Sequence, residues 1–103
     1  MAFQISKEIT PTELSNRLNI GEAPVIIDVR EPAEWAEGHI AGAKHIPLGQ
    51  LTGRLDELDK DIEMIIVCRS GGRSGLACEL LSEHGFDVVN MTGGLMSWND
   101  ELI

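Results

Sequence analysis

Three short, almost uninterrupted apolar runs punctuate the chain: Val25-Ile26-Ile27-Asp28-Val29, Met64-Ile65-Ile66-Val67-Cys68 and Val88-Val89-Asn90-Met91. Runs of this length without polar alternation read as strands buried on both faces, the mark of a parallel sheet covered by helices. Helical signals fill the intervals. Thr10-Pro11-Thr12-Glu13 offers a cap, a proline suited to the first helical position and the acidic partner of a capping box. Leu14 and Leu18 follow at helical spacing, and Gly21 ends the element. Glu31 to Glu37 forms a short helix with Pro32 in its first turn. Leu48, Leu51, Leu55 and Leu58 repeat at helical period. Arg73 to His84 is helical, with Leu76, Ala77, Leu80 and Leu81 on one side and Gly85 at the stop. Phe3 to Ser6 and Ala43 to Ile46 read as further short strands, and Leu95 to Leu102 as a last short helix. This alternation predicts an α/β sandwich around a mostly parallel sheet, with helices on both faces through right-handed crossovers. A length of 103 residues fits one domain, residues 1–103, with a core of its own.

The formal net charge of −9 argues against general nucleic-acid binding and against docking on an anionic membrane. The apolar runs are about five residues long, far short of the roughly 20 that span a bilayer. Met1 to Ile5 shows no basic region leading into an apolar stretch, so no signal peptide is expected and a cytoplasmic location is the default. The two cysteines, Cys68 and Cys78, are too few for a disulfide scaffold, and C-x9-C matches no zinc pattern. His39, His45 and His84 form no i, i+4 pair. Neither a metal nor a cofactor is expected.

The chemistry concentrates at Cys68-Arg69-Ser70-Gly71-Gly72-Arg73-Ser74. Ligands of parallel sheets bind beyond the carboxyl ends of strands, and Cys68 ends a buried strand there. Gly71 and Gly72 allow backbone conformations in which successive amides turn inward as an anion nest, and the following helix adds its positive end. Such surroundings lower a thiol from about 8.5 by one or more units, and the thiolate is the nucleophile. Arg69 and Arg73 make a small basic spot on an acidic chain, which suits a small anionic ligand. A buried structural cysteine is the plain alternative, but two arginines are poor company for an inert core thiol.

The loop resembles the active-site pattern of the rhodanese family, C-R-x-G-x-R-[ST], matched at Cys68, Arg69, Gly71, Arg73 and Ser74. Asp28, Arg30, Glu34-Trp35 and Gly38-His39-Ile40 with Gly42-Ala43 resemble its N-terminal signature, although His45-Ile46-Pro47 stands where Asn-Ile-Pro is usual. Gly93-Gly94 with Trp98 resembles its C-terminal signature. The resemblance implies a three-layer sandwich with a central five-stranded parallel sheet. It also implies transfer of a sulfane sulfur from thiosulfate or a persulfide donor to a thiol or cyanide acceptor. Cys68 would be catalytic, and the loop amides of Arg69, Ser70, Gly71, Gly72 and Arg73 would cradle the substrate. A protein could act as donor or acceptor.

Two other readings compete. One is a non-catalytic sulfur carrier or interaction module, for which the acidic surface could serve docking. The other is a phosphatase or arsenate reductase on the same fold. Those phosphatases use C-x5-R, whereas Cys68 to Arg73 is C-x4-R. A phosphatase also wants a general acid for its alkoxide leaving group, and none is obvious beside the loop. Asp28 and Arg30 are expected to make structural polar contacts, since a buried charge needs a partner. His39 is expected to bond to backbone, and Trp35 and Trp98 to pack. For Cys78, packing competes with a role as a resolving thiol that captures a Cys68 persulfide.

Overall fold

The computed structural model describes residues 7–103. Its strands are β1 (Lys7–Ile9), β2 (Val25–Asp28), β3 (Lys44–His45), β4 (Met64–Val67) and β5 (Val88–Met91). They form one sheet in the order β1-β5-β4-β2-β3, every neighbouring pair parallel. The helices are α1 (Pro11–Asn19), α2 (Pro32–Ala36) and α3 (Gly72–Glu83). Two 3₁₀ segments, Leu48–Glu57 and Leu95–Ser97, complete the regular structure.

Successive strand residues face opposite sides, so each apolar run feeds two cores. Ile27, Met64, Ile66 and Val88 pack with Leu51, Ala77, Cys78, Leu81 and Phe86 on one face. Ile26, Ile65, Val67, Val89 and Met91 pack with Leu14, Ile40 and Leu95 on the other. These two cores separate three layers, as the unbroken β2, β4 and β5 runs require. The capping box at α1 closes as expected: the Thr10 hydroxyl accepts from the Glu13 amide at 3.1 Å, and the Thr10 amide donates to the Glu13 carboxylate at 3.0 Å.

Four expectations need correction or placing. The strand expected at Phe3 to Ser6 lies outside the described residues, and β1 is Lys7–Ile9. The leucine-rich stretch after Pro47 winds as a 3₁₀ segment kinked at Arg54, just after Gly53, and Leu58 already lies in extended backbone. The last helix stops at Ser97. Trp98 turns extended, Asp100 accepts from the Ser15 hydroxyl, and Ile103 exchanges two backbone bonds with His39. Tertiary partners thus claim a segment whose Ser, Asn and Asp residues have weak helix propensity. Leu76 is 56% exposed rather than on the packed side of α3, where Ser74 is buried instead.

Candidate active site

β4 hands the chain to Cys68 at its carboxyl end, and α3 begins at Gly72, so four residues separate strand from helix. So short a turn needs the left-handed backbone of Gly71, whose φ is +102°. A side chain there would press on the Gly93 amide and the backbone of Met91 and Thr92. The second glycine of Gly93-Gly94 has a stricter duty. A Cβ on Gly94 would overlap the Arg69 carbonyl and the Ser70 amide. That close approach lets the Leu95 and Met96 amides, each at 2.9 Å, donate to the Cys68 and Arg69 carbonyls. Those two carbonyls are therefore already bonded away from the sulfur.

The sulfur meets one donor and one acceptor. The Gly71 amide donates to Cys68 Sγ at 3.0 Å, and the Cys68 thiol donates to Ser74 Oγ at 3.3 Å. Burial pushes the thiol up. The Ser74 hydroxyl and the backbone amides of Ser74, Gly71 and Ser70 outweigh burial and hold it below the ordinary thiol range. Cys68 is 0% exposed, whereas Arg69, Ser70 and Gly72 of the same loop are exposed. A donor must enter the loop to touch it.

The two loop arginines divide their tasks. The Arg73 guanidinium forks onto the Glu34 carboxylate, with bonds of 2.6 and 2.8 Å. The Arg73 bond holds the Glu34 carboxyl at about 2. This pair ties α2 to α3 across the site, and it removes the Arg73 side chain from the free basic spot read in the sequence. Its backbone amide is not engaged by that pair. Arg69 is exposed and, among the described residues, forms no ion pair.

Supporting polar groups lie behind α2. Asp28 and Arg30 form a buried pair at 2.8 Å, and Arg30 also donates to the carbonyls of Glu34 and Gly38. Both therefore serve structure, as expected. His39 contacts the Trp35 carbonyl at 3.0 Å, and the Trp35 ring lies stacked with both His39 and His45. Trp98 packs against the α1-side core. Cys78 is buried in the other core, and burial, then the charge on Cys68, push its thiol up to about 12. A resolving thiol would have to ionise, and the burial that packs Cys78 into this core opposes that.

Sequence reasoning assigned no task to Ser74, Glu34 or Asn90. Ser74 and Glu34 stood within the recognised patterns. Asn90 had a signal of its own: a carboxamide inside an apolar strand needs partners. It accepts from the Ser74 hydroxyl at 2.5 Å.

A parallel α/β sandwich with a cysteine held by backbone amides between strand and helix defines a cysteine-centred α/β domain. The chain belongs to the rhodanese-like family: the Rhodanese-like domain matches residues 10–101. YtwF of Bacillus subtilis is 44% identical over 95 residues, covering 92% of each chain. A protein of Allochromatium vinosum named Sulfurtransferase is 40% identical over 92 residues, covering 88% of this chain and 86% of that one. The crystal structure of a rhodanese-like domain protein from Staphylococcus aureus superposes with a TM-score of 0.89 at 40% identity, covering 94% of this chain and 96% of the other. These likenesses support rhodanese-type sulfurtransferase activity as the general class.

Proposed function

We propose that the protein is a sulfurtransferase that carries a sulfane sulfur on Cys68 as a persulfide. The observation that carries this reading is the Gly71 amide at 3.0 Å from Cys68 Sγ, with the Ser74 hydroxyl beside it, in a loop whose Cys68, Arg69 and Gly71 carbonyls accept bonds from other backbone amides. Such a cradle favours an anion at sulfur.

In the first step the Cys68 thiolate attacks the outer sulfur of thiosulfate. The new S–S bond joins Cys68 to that sulfur, the old S–S bond breaks, and its electron pair leaves on sulfite. The Cys68 persulfide keeps one negative charge, which loop amides can solvate. In the second step cyanide or a thiolate attacks the outer sulfur and regenerates the Cys68 thiolate, giving thiocyanate or a new persulfide. One hard transfer becomes two easier ones. Sulfite needs no proton to leave, so no general acid is required. A protein persulfide can replace thiosulfate in the first step without other change.

In this reading Arg69 draws the anionic donor, and the amides of Ser70, Gly71, Gly72 and Arg73 receive it. The Arg73 side chain acts through position, because Glu34 occupies its fork. That occupation also weakens a phosphatase reading, which would spend the guanidinium on phosphate. Steady-state transfer from thiosulfate to cyanide tests the proposal. Cys68→Ala should remove all turnover while leaving the fold intact. Transfer that survives Cys68→Ala would overturn it.

A further inference from the structure

The polar contacts of Cys68 do not end at Ser74. The Ser74 hydroxyl donates to Asn90 Oδ1 at 2.5 Å, and Asn90 Nδ2 donates to the Gly71 carbonyl at 3.4 Å. Asn90 belongs to β5, next to β4 in the sheet, and a Cβ on Gly75 of α3 would lie 3.5 Å from its Nδ2. The Asn90 amide is oriented by its Gly71 contact: reversed, it would set its oxygen against the Gly71 carbonyl and its nitrogen against the hydroxyl. The chain therefore runs in one direction, from the Cys68 thiol to Ser74 Oγ, and from the Ser74 hydroxyl to Asn90.

A serine hydroxyl has one proton. While that proton points to Asn90, Ser74 offers the sulfur only a lone pair, which suits a neutral thiol. An anionic sulfur needs the same proton. We infer that Asn90 is a positioning residue that holds the Ser74 proton while Cys68 is a thiol and yields it when the sulfur becomes a thiolate or persulfide. The hydroxyl then turns from Asn90 to Sγ, 3.3 Å away, with no movement of backbone. Asn90 thereby stabilises the resting thiol and limits how acidic Cys68 becomes. That limit has a chemical use. A thiolate of very low pKa is a poor nucleophile, and attack is fastest when the pKa lies near ambient pH.

The other groups around the sulfur do not supply this control. On α3, Arg73 is paired with Glu34 and Cys78 stays a thiol. On β2, Asp28 is bound by Arg30. β5 and the Leu95–Ser97 segment carry no titratable side chain, and Arg69 projects as an exposed residue from the loop. The inference extends the functional reading above but rests on the resting geometry of Cys68 alone.

Ultraviolet titration of the thiolate tests it directly, since the chain contains no tyrosine to interfere. Cys68→Ser provides the blank. Ser74→Ala should raise the apparent pKa of Cys68. Asn90→Ala should do the opposite and lower it by about one unit, a roughly tenfold gain in thiolate below the midpoint. Asn90→Val removes the same acceptor in a residue suited to a strand, and should repeat the shift if the alanine variant folds poorly. With Ser74→Ala already present, Asn90→Ala should change nothing further. A raised or unmoved pKa in the Asn90 variants, or a shift that persists without Ser74, overturns the inference. Titration needs no sulfur donor, so a protein that titrates as described yet never accepts sulfur would refute the transferase reading alone.

Discussion

Cys68, Arg69, Cys78 and Glu34 show how differently four reactive or charged side chains behave within one small chain. Cys68 is buried but surrounded by donors, so its acidity rises despite the lost water. Its alkylation rate should increase with pH through a midpoint below that of an ordinary thiol. Cys78 is buried among hydrocarbon and is driven the other way, to about 12. Cys78→Ala should therefore leave turnover and the pattern of oxidation products unchanged, at a stability cost of about 1 kcal/mol for the lost packing. Altered turnover measured beside the parent protein would restore the resolving-thiol idea. Among the described residues Arg69 forms no ion pair, unlike Arg73. Arg69→Ala should raise KM for thiosulfate by about tenfold and leave kcat nearly unmoved, because it attracts the donor more than it stabilises the transition state. A fall in kcat alone would show that the guanidinium acts on the chemistry instead.

The active loop is held by its neighbouring elements rather than by its own sequence. Gly94 lets the segment Leu95–Ser97 donate two amides into the loop, and no side chain fits at that contact. Gly94→Ala should cost about 2–4 kcal/mol, read from chemical denaturation, and abolish sulfur transfer as the loop is displaced. The Glu34–Arg73 pair joins α2 to α3. The Glu34 carboxyl falls from an ordinary 4.5 to about 2 in the folded protein, chiefly through the Arg73 bond. A depressed carboxyl contributes stability above its unfolded pKa and loses it as pH falls through the folded one. The loss should fall between about pH 4.5 and pH 2. Both partners are partly exposed, so the contribution is about 1 kcal/mol after screening. Glu34→Gln should flatten that part of the stability–pH curve. An unchanged slope would mean that the pair is not maintained in solution.

The molecule as a whole was legible wherever pattern and local chemistry agreed. The nearly unbroken runs at β2, β4 and β5 announced a sheet buried on both faces, and the Thr10 box announced the start of α1 at Pro11. The Cys68 loop was legible because its glycines, arginines and strand-to-helix setting all point to one chemistry. What was missed depends on contacts between distant segments. Nothing local says that Arg73 will meet Glu34, that Ser74 will lie between Cys68 and Asn90, or that Ile103 will return to His39 and end the last helix early. The close approach of Gly93-Gly94 to the backbone of the Cys68 loop was equally hidden. No helix among the described residues is long and apolar enough to cross a membrane. The two cores leave Cys68 at the carboxyl end of β4, between the α3 amides on one side and the Leu95–Ser97 segment on the other.

The proposed sulfur transfer requires that Cys68 accept and keep one sulfur atom. Intact-protein mass spectrometry before and after thiosulfate, with a reductant-treated sample and Cys68→Ala in parallel, measures that directly. The account predicts a gain of one sulfur on the parent protein, located at Cys68, reversed by cyanide and absent from the variant. A parent protein that never gains that mass with thiosulfate or with a persulfide donor, or that gains it on another residue, would contradict it.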